Sequence, residues 1–118
     1  MSDEACDLLC LDLPKAEAIR VGLPGAEQLA AWADAAKALT DPTRLAIVLS
    51  LREGGATCVC DLAWIVGRPE KLVSHHLRLL KAAGAATSRR DKRMVMYELT
   101  PAGQTLVDGL LRATEAAR

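Results

Sequence analysis

Four cysteines stand in two close pairs, Cys6 with Cys10 and Cys58 with Cys60. The spacing C-x3-C puts both thiols of the first pair on one face of a helix. C-x-C inside a helix would splay its thiols by about 200°, so Cys58 and Cys60 can face one ion only where a helix begins. Thr57 is expected to cap a helix there, and the partial positive charge of a helix start favours thiolate. Zinc fingers use two pairs at C-x2-4-C and depend on metal to fold; the spacing here differs, and the chain has apolar residues enough for its own core. Thiolates select soft or borderline ions: four sulfurs suit Zn(II) or Cd(II), three suit Pb(II) or As(III). Two other readings stand beside this one. Cys58 and Cys60 can be small buried apolar residues, or the thiols can form a redox switch.

A second constellation is cationic. On a helix over residues 70–83, Lys71, Ser74, His75 and Arg78 fall at i, i+3, i+4 and i+7, opposite Val73, Leu77 and Leu80. A helix presenting Lys and Arg along one stripe fits the major groove of B-DNA, where they bond guanine O6 and N7 while Ser or His reaches base edges or phosphates. Arg89, Arg90, Lys92 and Arg93 follow on a charged hairpin tip and would add backbone or minor-groove contacts. His75 and His76 diverge by about 100° on a helix and do not chelate one ion. His75 is therefore assigned to DNA, and His76 to packing or hydrogen bonding.

The elements that must position these groups follow from periodicity and punctuation. Residues 1–25 read as an arm with a short helix over 15–21, between Pro14 and Gly22. Residues 26–118 read as one domain. Leu29, Trp32, Ala36 and Leu39 mark an amphipathic helix over 26–39, and Asp41-Pro42 opens the next, which Gly54-Gly55 stops. A third helix over 58–66 carries Val59, Leu62, Ala63 and Val66 inward; Gly67-Arg68-Pro69 turns into the helix over 70–83. Helix, short Gly-containing turn, helix is the helix-turn-helix pattern. Beyond Gly84, strands over 86–90 and 94–99 make a β-hairpin wing, and a last helix from 101 to about 115 offers Leu106, Leu110 and Leu111 for dimerisation. The expected fold is mainly α with a small hairpin, a homodimeric winged helix-turn-helix.

The formal net charge is zero, but residues 1–36 hold seven acids against two bases, while 68–93 hold eight bases against two acids. Such a basic third is the footprint of a polyanion partner. No apolar run reaches the ~18 residues that span a bilayer, and the acidic start is unlike a secretory signal, so no membrane partner and a cytoplasmic location are expected. In a reducing compartment the cysteines are ligands or reactive thiols rather than a disulfide framework. There is no C-x-x-C, no nucleotide loop and no histidine beside a visible carboxylate partner, so no enzyme is expected.

The segments TDPTRLAIVLSL, TCVCDLAWIVG and VSHHLRLLKAAGAA, with the wing ending MYELT, resemble the ArsR/SmtB family of metal-responsive winged-helix repressors over about residues 26–112. With Cys6 and Cys10 in the arm, the resemblance is greatest to the family's CadC-like cadmium and lead sensors. It implies a homodimer that binds an operator palindrome when metal-free and is released by Cd(II) or Pb(II), with Zn(II) as a further candidate, so that efflux or resistance genes are expressed. It also implies that the arm of one subunit brings Cys6 and Cys10 to Cys58 and Cys60 of the other. Arsenic sensors of the family carry a third thiol where this chain has Ala63. The residues of the family's second, zinc-type site are replaced by Pro101, Gly103, Thr114 and Ala117, and the recognition helix opens with Arg68-Pro69-Glu70, without the usual Ser or Thr cap.

Overall fold

The computed structural model describes residues 12–116. Asp12 caps α1 (Leu13–Gly22) by accepting the Lys15 N–H at 3.3 Å. α2 (Ala26–Ala36) tightens into a 3-10 turn at Lys37–Leu39, so the single helix expected over 26–39 changes pitch in its last turn. Asp41 caps α3 (Pro42–Gly54): its carboxylate accepts the Arg44 N–H at 2.9 Å, and Pro42 sits where no N–H is needed. Gly55, at φ +71°, ends the helix in a conformation that a side chain would resist.

The next step departs from the expected pattern. Thr57–Cys58 is a two-residue strand, β1, paired antiparallel to the wing with Thr57 opposite Tyr97 and Cys58 opposite Met96. Thr57 therefore does not cap the following helix; its hydroxyl donates to the Gly55 carbonyl at 2.9 Å. The N-cap position falls to Cys58, and α4 runs Val59–Val66. Gly67, left-handed at φ +69°, closes α4, and α5 (Glu70–Ala82) follows after Pro69. β2 (Ala86–Asp91) and β3 (Met94–Leu99) form the hairpin, giving the sheet order β1-β3-β2. β3 has the expected bounds and β2 runs one residue further than expected, leaving Lys92 (φ +59°) and Arg93 as the turn. α6 (Pro101–Ala116) completes the chain.

The core lies among α3, α4, α5, α6 and the sheet. Ile47, Val48, Leu51, Leu62, Val73, Leu77, Leu80 and Val107 are its largest fully buried side chains, with Tyr97 against them. α1 and α2 bury none. The apolar stripe of α2 exists as the sequence indicates, but Leu29 and Trp32 stay 45% and 58% exposed, because no other element among the described residues covers them. The molecule is accordingly elongated, 65 × 32 × 23 Å. No helix among the described residues is long and apolar enough to cross a membrane.

One polar joint ties the start of α3 to α5. His76 is 7% exposed; its Nδ1 accepts from Arg44 Nε at 3.3 Å, which puts the ring proton on Nε2, 3.8 Å from the Asp41 carboxylate. Arg44 also donates to the Lys37 carbonyl at 2.7 Å, so the 3-10 turn, α3 and α5 share one network. Burial holds His76 below the usual histidine value, against the pull of Asp41 and with the push of Arg44 and His75. A histidine kept neutral in the fold takes a proton more readily once unfolded. Its contribution is complete above the unfolded value near pH 6.5 and is lost as pH falls through the depressed folded value. Urea midpoints taken from pH 7.5 to 5 should therefore decline in the wild-type chain, and decline less steeply in His76→Gln.

Candidate functional site

Cys58 and Cys60 meet because the backbone changes state between them. Cys58 is extended (φ −80°, ψ 162°), the last residue of a strand, whereas Cys60 lies in the first turn of α4. The 200° splay of a regular helix is thereby cancelled, and the two sulfurs stand 3.2 Å apart as free thiols. Around one tetrahedral ion with bonds of about 2.3 Å, sulfurs lie ~3.8 Å apart. The pair thus needs to open by only about half an ångström to share an ion, and the donor set fits a thiophilic metal.

The structure adds a third candidate ligand that the cysteine spacing did not single out. The Asp61 carboxylate falls within 4.8 Å of both sulfurs. Its only sequence signal was an acid directly after the C-x-C. Cys58 is buried, at 5% exposure, while Cys60 and Asp61 are exposed, so the cluster opens to solvent on one side. Cys6 and Cys10 lie outside the described residues.

The electrostatics reverse one expectation. The helix start was expected to favour thiolate, yet the Cys60 thiol is pushed up: first by its hydrogen bond with Cys58, then by partial desolvation and by the charges of Cys58 and Asp61. A bond from the Asp61 backbone N–H pulls the other way and is outweighed. Two acids beside one another do not both ionise easily.

The polar stripe of α5 has the exposure pattern expected of it. Lys71, His75 and Arg78 are exposed on α5 and Ser74 is half-buried, while Val73, His76, Leu77 and Leu80 face the core. Pro69 occupies the N-cap and offers no side-chain bond, leaving the first N–H groups of α5 free of a side-chain cap. On the wing Arg90, Lys92 and Arg93 are exposed. Arg89 differs from them: its guanidinium is engaged by Glu98 across the hairpin at 2.8 Å. The helix that carries the thiol pair and α5 are neighbours through the short Gly67-Arg68-Pro69 turn.

The positions of the second, zinc-type site are differently occupied. Gly103 lies so close to Ala85 that an added Cβ would meet the Ala85 carbonyl oxygen well inside contact distance, so no ligand side chain fits there without a backbone shift. Ala63, at the place of a third thiol, is buried in the core.

Comparison with known proteins agrees with this architecture. Residues 41–88 match the model of the bacterial regulatory protein arsR family. The repressor SmtB of Mycobacterium tuberculosis is 46% identical over 76 residues, 64% of this chain; the chain spans about half, 56%, of that repressor's length. The cadmium resistance regulator CadC of Listeria innocua is 32% identical over 97 residues, covering 82% of this chain and 81% of its own. Among solved structures, the homodimeric winged helix-turn-helix DNA-binding domain of a Mycobacterium bovis protein is similar with a TM-score of 0.69 at 25% identity, covering 80% of this chain and 89% of that one. The core, the helix-turn-helix and the wing are thus shared with these relatives along most of the chain, which belongs to the arsR family of bacterial regulatory proteins.

Proposed function

We propose that the chain is a metal-responsive transcriptional repressor that binds operator DNA as a homodimer when metal-free and is released by a thiophilic ion, Cd(II) or Pb(II), with Zn(II) as a weaker candidate. The observation that carries this reading is the pair of free thiols 3.2 Å apart at the start of α4, one short turn ahead of the reading helix. Cys58 and Cys60 supply half of the site, and Cys6 and Cys10 from the arm of the partner copy supply the rest. Asp61 stands ready to accept from, or bond to, whatever occupies it. The domain boundary near residue 25 separates that arm from the DNA-binding body.

Coupling follows from connectivity. α4 leads into α5 through Gly67, whose left-handed conformation fixes the angle between the two helices. Rotating α4 re-aims α5, and two reading helices must match half-sites about 34–36 Å apart. Release requires the ion to favour the non-binding arrangement by its differential affinity, typically about 1–3 kcal/mol. An oxidant sensor on the same fold is the alternative: it would release the operator without metal, and a chelator would change nothing. An As(III) sensor lacks its third thiol at Ala63.

The test is a titration of the metal-free protein with Cd(II), Pb(II) and Zn(II), following thiolate-to-metal absorption and operator binding in the same samples. Operator release without a thiolate band, or a band without release, would sink the reading. For the DNA face, Arg78→Ala is expected to weaken operator binding by about 1–3 kcal/mol. Arg89→Ala should cost much less, since its charge is already partnered by Glu98. Fluorescence anisotropy on labelled operator across a salt series checks both, and Lys92→Ala should lower the salt slope by about 1.

A further inference from the structure

α5 meets the core through apolar side chains. Val73, Leu77 and Leu80 are fully buried, and such contacts are non-directional, so by themselves they let a helix roll slightly about its axis. Hydrogen bonds are directional and resist that roll. Among the described residues α5 makes two side-chain hydrogen bonds to other elements: Lys81 to Ser88 on the wing, which is exposed, and His76 to Arg44 on α3. Its start has no side-chain cap that could add a third. The His76 bond is the anchored one. Asp41 accepts the Arg44 N–H at 2.9 Å and so holds the backbone that carries this arginine, while the Lys37 carbonyl holds the far end of its guanidinium at 2.7 Å.

His76 lies within the stretch that carries the polar stripe but on the other side of the helix. Ser74 and Arg78 flank it by two positions, and His75 adjoins it with ring centroids 5.7 Å apart. Rolling α5 therefore turns Lys71, Ser74, His75 and Arg78 together. At a side-chain radius of about 5–6 Å, a roll of about 10° moves their ends by about 1 Å. That breaks a hydrogen bond to a base edge, which holds only between about 2.7 and 3.2 Å. It matters little to a phosphate, whose attraction for Lys or Arg reaches over a Debye length of about 8–10 Å. Losing the His76 anchor thus weakens base reading and spares attraction to the DNA backbone.

We infer that His76 is a positioning residue for sequence reading: its hydrogen bond with Arg44 fixes the roll of α5, and protonating the ring undoes it. The inference rests on the DNA-reading role proposed above for α5 and adds what sets the angle of that helix. Nδ1 offers a single lone pair, which Arg44 Nε occupies at 3.3 Å. A proton there removes the acceptor and sets a second cation against the guanidinium, with His75 facing the same ring. Asp41 is the facing acid, 3.8 Å from Nε2, and its Oδ2 is already engaged by the Arg44 N–H. Burial keeps His76 below the usual histidine value, so the bond is complete above pH ~6.5 and is lost as pH falls through the depressed value. Sequence discrimination falls in the same direction.

The test uses the metal-free chain and two labelled duplexes, one selected by that chain from a random pool and one scrambled to the same length and composition. At pH 7.5 His76→Leu, which fills the space without an acceptor, should bind the selected duplex about tenfold more weakly and the scrambled one as before, with an unchanged salt slope. His76→Asn, whose side-chain oxygen can stand where Nδ1 does, should restore the affinity for the selected duplex. Between pH 7.5 and 5.5 the ratio of the two affinities should fall in the parent chain and stay level in His76→Asn. Both proteins keep His75, so its own titration cancels in the comparison, and circular dichroism at each pH ensures that folded proteins are compared. Undiminished binding of the selected duplex by His76→Leu would overturn the inference. So would an equal loss on both duplexes, which is what a merely structural role gives, an equal loss in His76→Asn, or an acid decline that persists in His76→Asn. If the parent chain enriches no sequence from the pool, the DNA-reading role of α5 falls, and the role of His76 with it.

Discussion

Cys58→Ser is expected to abolish the metal response while leaving operator binding intact. Serine keeps the size of the side chain at a position that is 5% exposed, so α4 and β1 stay in place, at a cost of about 1 kcal/mol for burying a hydroxyl. Its oxygen neither ionises near neutral pH nor attracts soft ions as a thiolate does. Losing one of the two sulfurs that stand 3.2 Å apart should lower Cd(II) affinity by at least ~100-fold, more than the loss of an outer-sphere partner. Anisotropy with labelled operator should show unchanged affinity without metal and no release at Cd(II) concentrations that free the wild-type protein. Release at the wild-type concentration would overturn the site assignment. Cys60→Ser should behave similarly with less effect on stability, because Cys60 is exposed.

Gly103→Ala is the largest stability change expected from a single methyl group in this chain. Thr100 anchors the first turn of α6 on the backbone that follows α5: its N–H donates to the Ala85 carbonyl at 3.0 Å, its hydroxyl to the Gly84 carbonyl at 2.6 Å. The same hydroxyl accepts the Gly103 N–H at 3.0 Å. These bonds draw the helix so close that a Cβ on residue 103 would meet the carbonyl oxygen, carbonyl carbon and Cα of Ala85, all backbone atoms that cannot rotate away. Overpacking of this kind costs about 3 kcal/mol, and the gain of about 1 kcal/mol in helix propensity does not offset it. Thermal unfolding at fixed protein concentration should show the melting temperature down by roughly 10 °C. Gly109→Ala, with open space at its Cβ position, should move in the opposite direction by about 0.5–1 kcal/mol. An unchanged Gly103→Ala variant would mean that α6 seats differently on Ala85.

Most of the scaffold is legible in the sequence because its helices are bounded by residues with local conformational demands. Asp41-Pro42 starts α3, and Gly55, Gly67 and Gly84 all adopt positive φ where helices end. The alternation of Val95, Tyr97 and Leu99 gives the wing, with Tyr97 buried. β1 is not legible: two residues carry no periodicity, and their strand character comes from pairing with Tyr97 and Met96, about 40 positions away in sequence. That nonlocal pairing also displaced the cap from Thr57 to Cys58. The packing and hydrogen-bonding role expected of His76 is found, but its partners Asp41 and Arg44 are not legible, since they belong to a different helix start. At the candidate site the two sulfurs were foreseeable from C-x-C at a helix start. The upward push on Cys60 was not, because it arises from the 3.2 Å approach of Cys58 rather than from the helix.

The two-residue strand β1 has a mechanical consequence. Cys58 is laced to Met96 on β3, and the same two strands of the hairpin run on to the basic tip at Lys92 and Arg93. Two strand steps separate Met96 from Met94, where the Lys92-Arg93 turn joins β3, roughly 7 Å at the usual rise. The backbone that carries the Cys58 thiol is thus paired with the strand that leads to the cationic tip, so the ladder joins the two.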